Sequence, residues 1–261
     1  MKLISALFLA TVFLSAQGER PVWEQPAFSA SPQALQQAFS GMEAGSNPVT
    51  VLLEEGRFEY DSAGRLTHLY RTIFKVWTKE GASAWAMAEQ GWAPWVEDRP
   101  VVRARVIGPD GTVHELDPKT VADAPASEAS GDVLSDRRIV RAPMPAVEPG
   151  SIVEKEIVTR QTGDSPVPGS LCYFHFGFSV PVQHTRVRIR VPDPLPLRFK
   201  LHLLPDIAVS DHKEGGVREI LFDQGPMKPL EDVPPLLPSD VPGSPYVVFS
   251  TAGDWNAVAK A

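Results

Sequence analysis

Arg138-Ile139-Val140-Arg141-Ala142-Pro143-Met144-Pro145-Ala146-Val147-Glu148-Pro149-Gly150-Ser151-Ile152-Val153-Glu154-Lys155-Glu156 is the stretch whose reading decides the fold. An extended segment runs into the stiff Pro143-Met144-Pro145. A four-residue turn follows at Glu148-Pro149-Gly150-Ser151, and a new strand begins at Ile152. Proline presets φ for the second turn position and glycine supplies the positive φ that the third demands, so Pro149-Gly150 predicts a type II turn. Strands on both sides of such a joint imply a β-rich chain. No constellation of catalytic side chains accompanies it.

The totals agree with this reading. The chain has 261 residues, enough for one large or two small domains with a sizeable core. Its 26 prolines are about twice ordinary usage, which disfavours a helical architecture. A formal net charge of -7 argues against a nucleic-acid partner, which would require a basic footprint. The single cysteine, Cys172, forbids an intrachain disulfide.

Upstream of the joint, residues 1–18 read as a signal peptide: Lys2, a short apolar run from Leu3 to Leu14, and small residues for a cut after Gly18 or Ala16. The chain is therefore expected to be exported, to the periplasm or the cell surface and beyond, with no transmembrane segment once the signal is removed. Ser31-Pro32 caps a short helix in the segment 19–48, where Leu35, Ala38, Phe39 and Met42 recur at helical spacing. From Val51 the period becomes two. Leu52, Phe58 and Tyr60 share one parity against Glu55, Arg57 and Glu59, and Leu66 to Trp77 returns as the second arm of a hairpin. Lys79-Glu80-Gly81 closes it, and Ala82 to Trp95 predicts a strand crossing to a second sheet. Val101 to Ile107, Pro109-Asp110-Gly111 and Thr112 to Leu116 form another hairpin. Pro118 to Ser130 reads as an exposed loop, with or without a short helix in it.

Downstream, Ser151 to Arg160 is a strand, Leu171 to Phe178 is an apolar-aromatic run expected to be buried, and His184 to Val191 alternates arginine with valine and isoleucine. Leu197 to Leu204 and Val217 to Phe222 are further strands. The fold class is all-β: a mainly antiparallel β-sandwich over 49–223, with one short N-terminal helix and a proline-rich C-terminal linker over 224–245. Residues 246–261 read as one more strand and the start of a helix beginning a further domain.

Candidate sites are few. Cys172 and His175 are three apart on a strand and point to opposite faces, so they do not make a nucleophile pair. The six histidines are dispersed and show no metal-ligand spacing, so no metal and no cofactor is expected. Glu54 and Glu55 are adjacent and lie on opposite faces, unlike a glycosidase pair. Arg186, Arg188 and Arg190 form the solvated face of a strand. Trp85, Trp92 and Trp95, with Trp77 just before them, are the candidate ligand-binding residues, an aromatic platform for glycan or peptide if they are exposed.

Several short motifs in order carry a resemblance. They are Val51-Leu52-Leu53-Glu54-Glu55-Gly56, Asp61-Ser62-Ala63-Gly64-Arg65-Leu66, Arg71-Thr72-Ile73-Phe74-Lys75-Val76 and Ile107-Gly108-Pro109-Asp110-Gly111. Met144 to Glu154 is the most characteristic; Phe176 to Pro192, Val248-Phe249-Ser250-Thr251 and Asp254-Trp255 complete the pattern. Over residues 49–261 the chain resembles DUF3857, the bacterial domain of unknown function that precedes transglutaminase-like domains in exported proteins. The resemblance implies an all-β module without assigned activity, whose catalytic Cys, His and Asp belong to a downstream domain. Residues 246–261 would be the truncated beginning of that domain.

The expectation is thus a non-catalytic exported accessory domain, not itself an enzyme, that positions or regulates a transglutaminase-like domain. Its partners would be that domain and an envelope protein, peptide or glycan. The alternative is a carbohydrate- or peptidoglycan-binding module built on the tryptophans.

Overall fold

The structure is a computed structural model, and it describes residues 20–126, 136–163, 169–231, 238 and 241–253. The expected signal peptide and the expected helix start at 254–261 lie outside the described residues. In chain order the strands are β1 (Val49–Tyr60), β2 (Leu66–Val76), β3 (Met87–Trp92), β4 (Val101–Ile107), β5 (Val113–Glu115), β6 (Ala122–Pro125) and β7 (Arg138–Pro143). They continue as β8 (Ile152–Arg160), β9 (Leu171–His175), β10 (Val182–Pro192), β11 (Arg198–His202), β12 (Ala208–Glu214), β13 (Val217–Gln224) and β14 (Tyr246–Ser250). The helices are α1 (Pro32–Ala38) and α2 (Lys79–Trp85).

The β1–β2 hairpin forms as its period-two pattern predicts and sits at the middle of an eight-stranded sheet ordered β12-β13-β10-β1-β2-β8-β4-β5. Its pairs are antiparallel except β1 with β10, which run parallel. Two three-stranded sheets, β3-β7-β6 and β11-β14-β9, cover one face side by side. Val140 and Ala142 of β7 close one core over Phe74, Val106 and Val153. Phe174 of β9 and Phe249 of β14 close the other over Phe58, Val187 and Ile189. Phe74 and Tyr70 are four residues apart on β2 and point the same way into these two cores, so both small sheets lie on one face. Gly56 makes the second approach possible, since a Cβ there would come within 2.5 Å of the Phe174 ring.

The opposite face carries the N-terminal segment. Leu35 and Phe39 of α1, with Val22, pack on Leu52, Leu53, Ile73, Ile107 and Ile152. Ser31 caps α1 by accepting from Ala34 N at 3.1 Å, as its sequence predicts. Leu52 does not share the face of Phe58 and Tyr60. A β-bulge between Val51 and Leu53 sends both leucines under α1 and then restores the alternation.

The 138–156 stretch is the crossover between layers: β7 lies in a small sheet and β8 in the large one. Its turn has the expected chemistry. Gly150 has φ +94°, and Ser151 N donates to Glu148 O at 3.0 Å. The turn also packs on the β4–β5 hairpin, because a Gly150 Cβ would lie 3.1 Å from Pro109.

Four expectations change. Lys79 to Trp85 is a helix, capped by Thr78 accepting from Gly81 N, before the chain crosses to β3. Within the expected loop from Pro118, a 3-10 turn and the edge strand β6 form. Leu171 and Tyr173 are exposed rather than buried, because alternation along β9 turns them to the outer side of an outer sheet. Tyr246–Ser250, set apart in the sequence as part of a following domain, is the central strand between β11 and β9. The proline-rich stretch before it is tied to the sandwich, with Met227 exchanging hydrogen bonds with Val182 and Leu230 N donating to Phe178 O.

The outer face of the large sheet is held by charge. Across six strands the register places Asp223, Arg186, Glu55, Arg71, Glu156 and Arg103 side by side, alternating in sign. In the next row Glu154 is fully buried. Its Oε1 accepts from Arg71 Nε at 3.0 Å, Arg71 Nη2 at 2.6 Å and Phe28 N at 2.8 Å, and its Oε2 accepts from Arg105 Nε at 2.9 Å. Arg71 and Arg105 then donate to Gln25 O and Ala30 O of the N-terminal segment.

Two outcomes follow from this geometry. Glu154→Gln leaves two guanidinium groups desolvated without their shared counter-charge and should cost about 3–5 kcal/mol in urea unfolding; a cost under about 1 kcal/mol would mean that water replaces the carboxylate. Gly150→Val forces a β-branched residue to positive φ against Pro109 and should lower Tm by several degrees; an unchanged Tm would refute the turn assignment.

Candidate functional site

The sheet β11-β14-β9 buries one face and offers the other to solvent. Alternation along each strand sends Phe174, Val247 and Phe249 inward. The register then lays nine outward side chains in three rows: His202, Tyr246 and His175; Lys200, Val248 and Tyr173; Arg198, Ser250 and Leu171. Leu171 is 64% exposed and Tyr173 53%, unusual for side chains of that size in adjacent rows. Tyr246 is the hub. His202 stacks on it at 4.5 Å between ring centroids, and His175 and Tyr173 approach at 5.5 and 5.8 Å. His175 Nδ1 lies 3.3 Å from Ser244 Oγ. Leu203, next to His202, is 57% exposed and holds φ +55°, a conformation that leucine adopts only under local constraint.

The face has a chemical polarity. The β11 column is cationic, the β9 column is apolar and aromatic, and none of the three strands contains a carboxylate. Arg198 and Lys200 form no ion pair among the described residues. By contrast, Arg186 pairs with Asp223 at 2.7 Å, Arg188 and Arg190 with Glu219 at 3.8 and 3.2 Å, and Arg218 with Asp211 at 2.7 Å. The arginine ladder of β10 thus finds its counter-charges within the sheet, although Arg188 Nε makes no hydrogen bond there.

The tryptophans do not assemble into one platform. Trp85 ends α2 and packs its ring on Phe74 and Phe178, at 5.0 and 5.4 Å between centroids. Trp92 ends β3, half-buried against the core, with Nε1 donating to Asp123 at 3.3 Å. Trp95 alone of the three is exposed, at 56%. Among the described residues no ring contact joins two tryptophans. Trp77 donates to Thr50 Oγ1 at 2.9 Å and lies under Lys75.

Cys172 faces inward, its sulfur 3.6 Å from Tyr60 Oη, while His175 faces out. Burial pushes the Cys172 thiol up, away from the thiolate that nucleophilic chemistry needs. Glu54 and Glu55 divide between the two faces as expected. The sequence set Glu54 aside as half of a pair, yet among the described residues it is the most perturbed carboxyl. Burial pushes it up to about 7, against hydrogen bonds from Gly177 N, Tyr70 and Thr185 that favour its charged form. Thr72, with its hydroxyl unpartnered, stands between Glu54 and Lys155 in register. His68, stacked on Phe58 at 4.2 Å, is pushed down to about 4 by burial. A cavity of about 350 Å³ lies where the Gly108–Thr112 turn meets Val147 and Glu148, with Asp110 occupied by Thr112.

These features define a class: a β-sandwich module with a solvent-facing aromatic and basic sheet face. Residues 62–231 match the family model of DUF3857, a domain of unknown function with a solved structure, and the chain belongs to that family. No curated protein matches it. Among solved structures, a candidate protease from Parabacteroides distasonis superposes with a TM-score of 0.71 at 14% identity, covering 80% of this chain and 41% of that one. An M1 zinc metallopeptidase from Deinococcus radiodurans aligns with a TM-score of 0.38 at 11% identity, covering 78% of this chain and 42% of that one. The chain therefore spans less than half the length of the structures it matches.

Glu54 and His68 have opposite pH signatures. A carboxyl raised in the folded state stabilises fully below its ordinary value of 4.5, and that contribution is lost as pH rises through 7. The depressed His68 contributes above its ordinary 6.5 and loses that contribution as pH falls through 4. Glu54→Gln should therefore match the parent near about pH 4 and exceed its stability by roughly 2–3 kcal/mol near about pH 8. Urea unfolding at both values checks this, and a difference that does not vary with pH would contradict it.

Proposed function

We propose that this chain is a non-catalytic, exported accessory module that positions or regulates a transglutaminase-like domain of a larger polypeptide. The observation that carries the reading is the match to the Parabacteroides distasonis candidate protease, where this fold accounts for 41% of the chain and leaves room for another domain. The order of motifs from Val51 to Trp255 supports a transglutaminase-like domain as that neighbour, and the apolar run from Leu3 to Leu14 supports export. The disposition of reactive groups points the same way. The thiol of Cys172 is turned inward and raised by burial, and Glu54 is enclosed beneath the small sheets with its oxygens already taken by Tyr70, Thr185 and Gly177.

The 261-residue chain should not cleave casein or release ammonia from glutamine-containing peptides above a buffer blank. Removing residues 20–253 from the whole polypeptide should lower the kcat/KM of the remaining domain by on the order of tenfold, with its fold checked by circular dichroism. Turnover by the chain alone, or undiminished turnover after the removal, would overturn the reading.

A further inference from the structure

We infer that the outer face of β11-β14-β9 is the docking face for the domain that follows in the same polypeptide, and that the surface it receives is acidic with an apolar centre. The inference rests on the accessory reading above and names the contact through which the module acts.

Three observations meet at this face. The first is position. The chain leaves β14 at Ser250, and Thr251 is pinned there, with Ser170 N donating to its Oγ1 at 2.9 Å and its own N donating to Ser170 O at 3.1 Å. Gly253 is three positions beyond Ser250, a reach of roughly 10 Å. Gly253, the last described residue, therefore lies within that reach of the row of Arg198, Ser250 and Leu171.

The second is exposed apolar surface. Leu171, Tyr173 and Leu203 are each more than half exposed, around a half-buried Tyr246. Large aromatic anchors at low entropy cost are what protein contacts use, and solvent-exposed patches of this kind mark them.

The third is charge. The molecule carries a formal net charge of -7, yet this face holds Arg198 and Lys200 without a carboxylate partner among the described residues and without any acidic residue in its three strands. Elsewhere in the sandwich Arg71, Arg105, Arg186 and Arg218 are answered by Glu154, Asp223 and Asp211. Cations left unanswered beside an apolar patch select a partner that brings carboxylates to the β11 side and apolar groups to the β9 side.

Covalent labelling reads this contact. Tyr173 nitration by tetranitromethane and Lys200 acetylation are followed by mass spectrometry in the 261-residue chain and in the whole polypeptide. Both side chains should label roughly tenfold more slowly in the whole polypeptide, as expected if the docked form is about nine-tenths populated. Arg198→Glu with Lys200→Glu, at exposed positions that leave the fold intact, should return Tyr173 labelling in the whole polypeptide to the rate of the 261-residue chain. Equal labelling in both proteins would overturn the inference, and if removal of residues 20–253 still impaired turnover, the accessory reading would survive it. Labelling of the 261-residue chain that slows as its own concentration rises would make the occupant a second copy and would likewise overturn the inference. A reading frame with no domain after residue 261 would remove both.

Discussion

The carboxylate of Glu154 fixes the outer layer of the molecule. It is fully buried, it is shared between Arg71 and Arg105, and it also receives Phe28 N. Desolvating three charges is costly, and their mutual attraction offsets that cost only when the remaining hydrogen-bonding capacity is also used. Here it is: the spare guanidinium donors reach Gln25 O and Ala30 O. The N-terminal segment is thereby recognised through its backbone. Its sequence matters chiefly for the cap at Ser31 and for the apolar groups Val22, Leu35 and Phe39 that cover Ile73 and Ile152. Phe28 accepts φ +63° and lays its ring 4.5 Å from the Arg103 guanidinium as part of the same arrangement.

The same charges set strand register. The row from Asp223 to Arg103 alternates in sign across six strands, and sliding β1 or β2 by two residues would put Leu53 or Arg57 in place of Glu55, or Leu69 or Ile73 in place of Arg71, and break opposite-charge neighbours on both sides. Sliding by one would in addition drive Arg71 into the inner core. The parallel β1–β10 pair has no hairpin to align it, and there the Glu55–Arg186 neighbours and the Phe58–Ile189 neighbours supply the alignment that a tight turn gives elsewhere.

Much of this was legible in the sequence, and the limits have physical causes. The β1–β2 hairpin and the Pro149-Gly150 turn could be read because local chemistry decides them. Glu154 could not be assigned its role, because a carboxylate in an alternating strand normally marks the solvated face, and only the far-off segment at 22–39 reveals that this face is covered. The bulge at Leu52 inverts parity without any glycine or proline to announce it. Trp85 and Trp92 could be read in the sequence either as core fillers or as a binding platform, because indoles serve both ends, and in the fold each is half-buried beside Phe178 or Asp123. The face on β11-β14-β9 was hidden for a different reason: its central strand is separated from its neighbours by the proline-rich stretch, so Tyr246 could not be placed between His175 and His202 until the chain was folded.

The layers constrain where a partner can contact the module. On the large sheet the outer charges answer one another, and the N-terminal segment covers the apolar remainder around Ile73 and Ile152. On the inner face the two small sheets enclose Glu54, whose oxygens are taken by Tyr70, Thr185 and Gly177. The outer side of β11-β14-β9 combines loose charge with open apolar area, since no carboxylate in its strands neutralises Arg198 and Lys200, and Leu171 and Tyr173 stand exposed among the described residues. A module built this way spends its strongest electrostatics on its own architecture. The proposed docking face is the one where Arg198 and Lys200 stand without a carboxylate among the described residues, beside the strand end at Ser250.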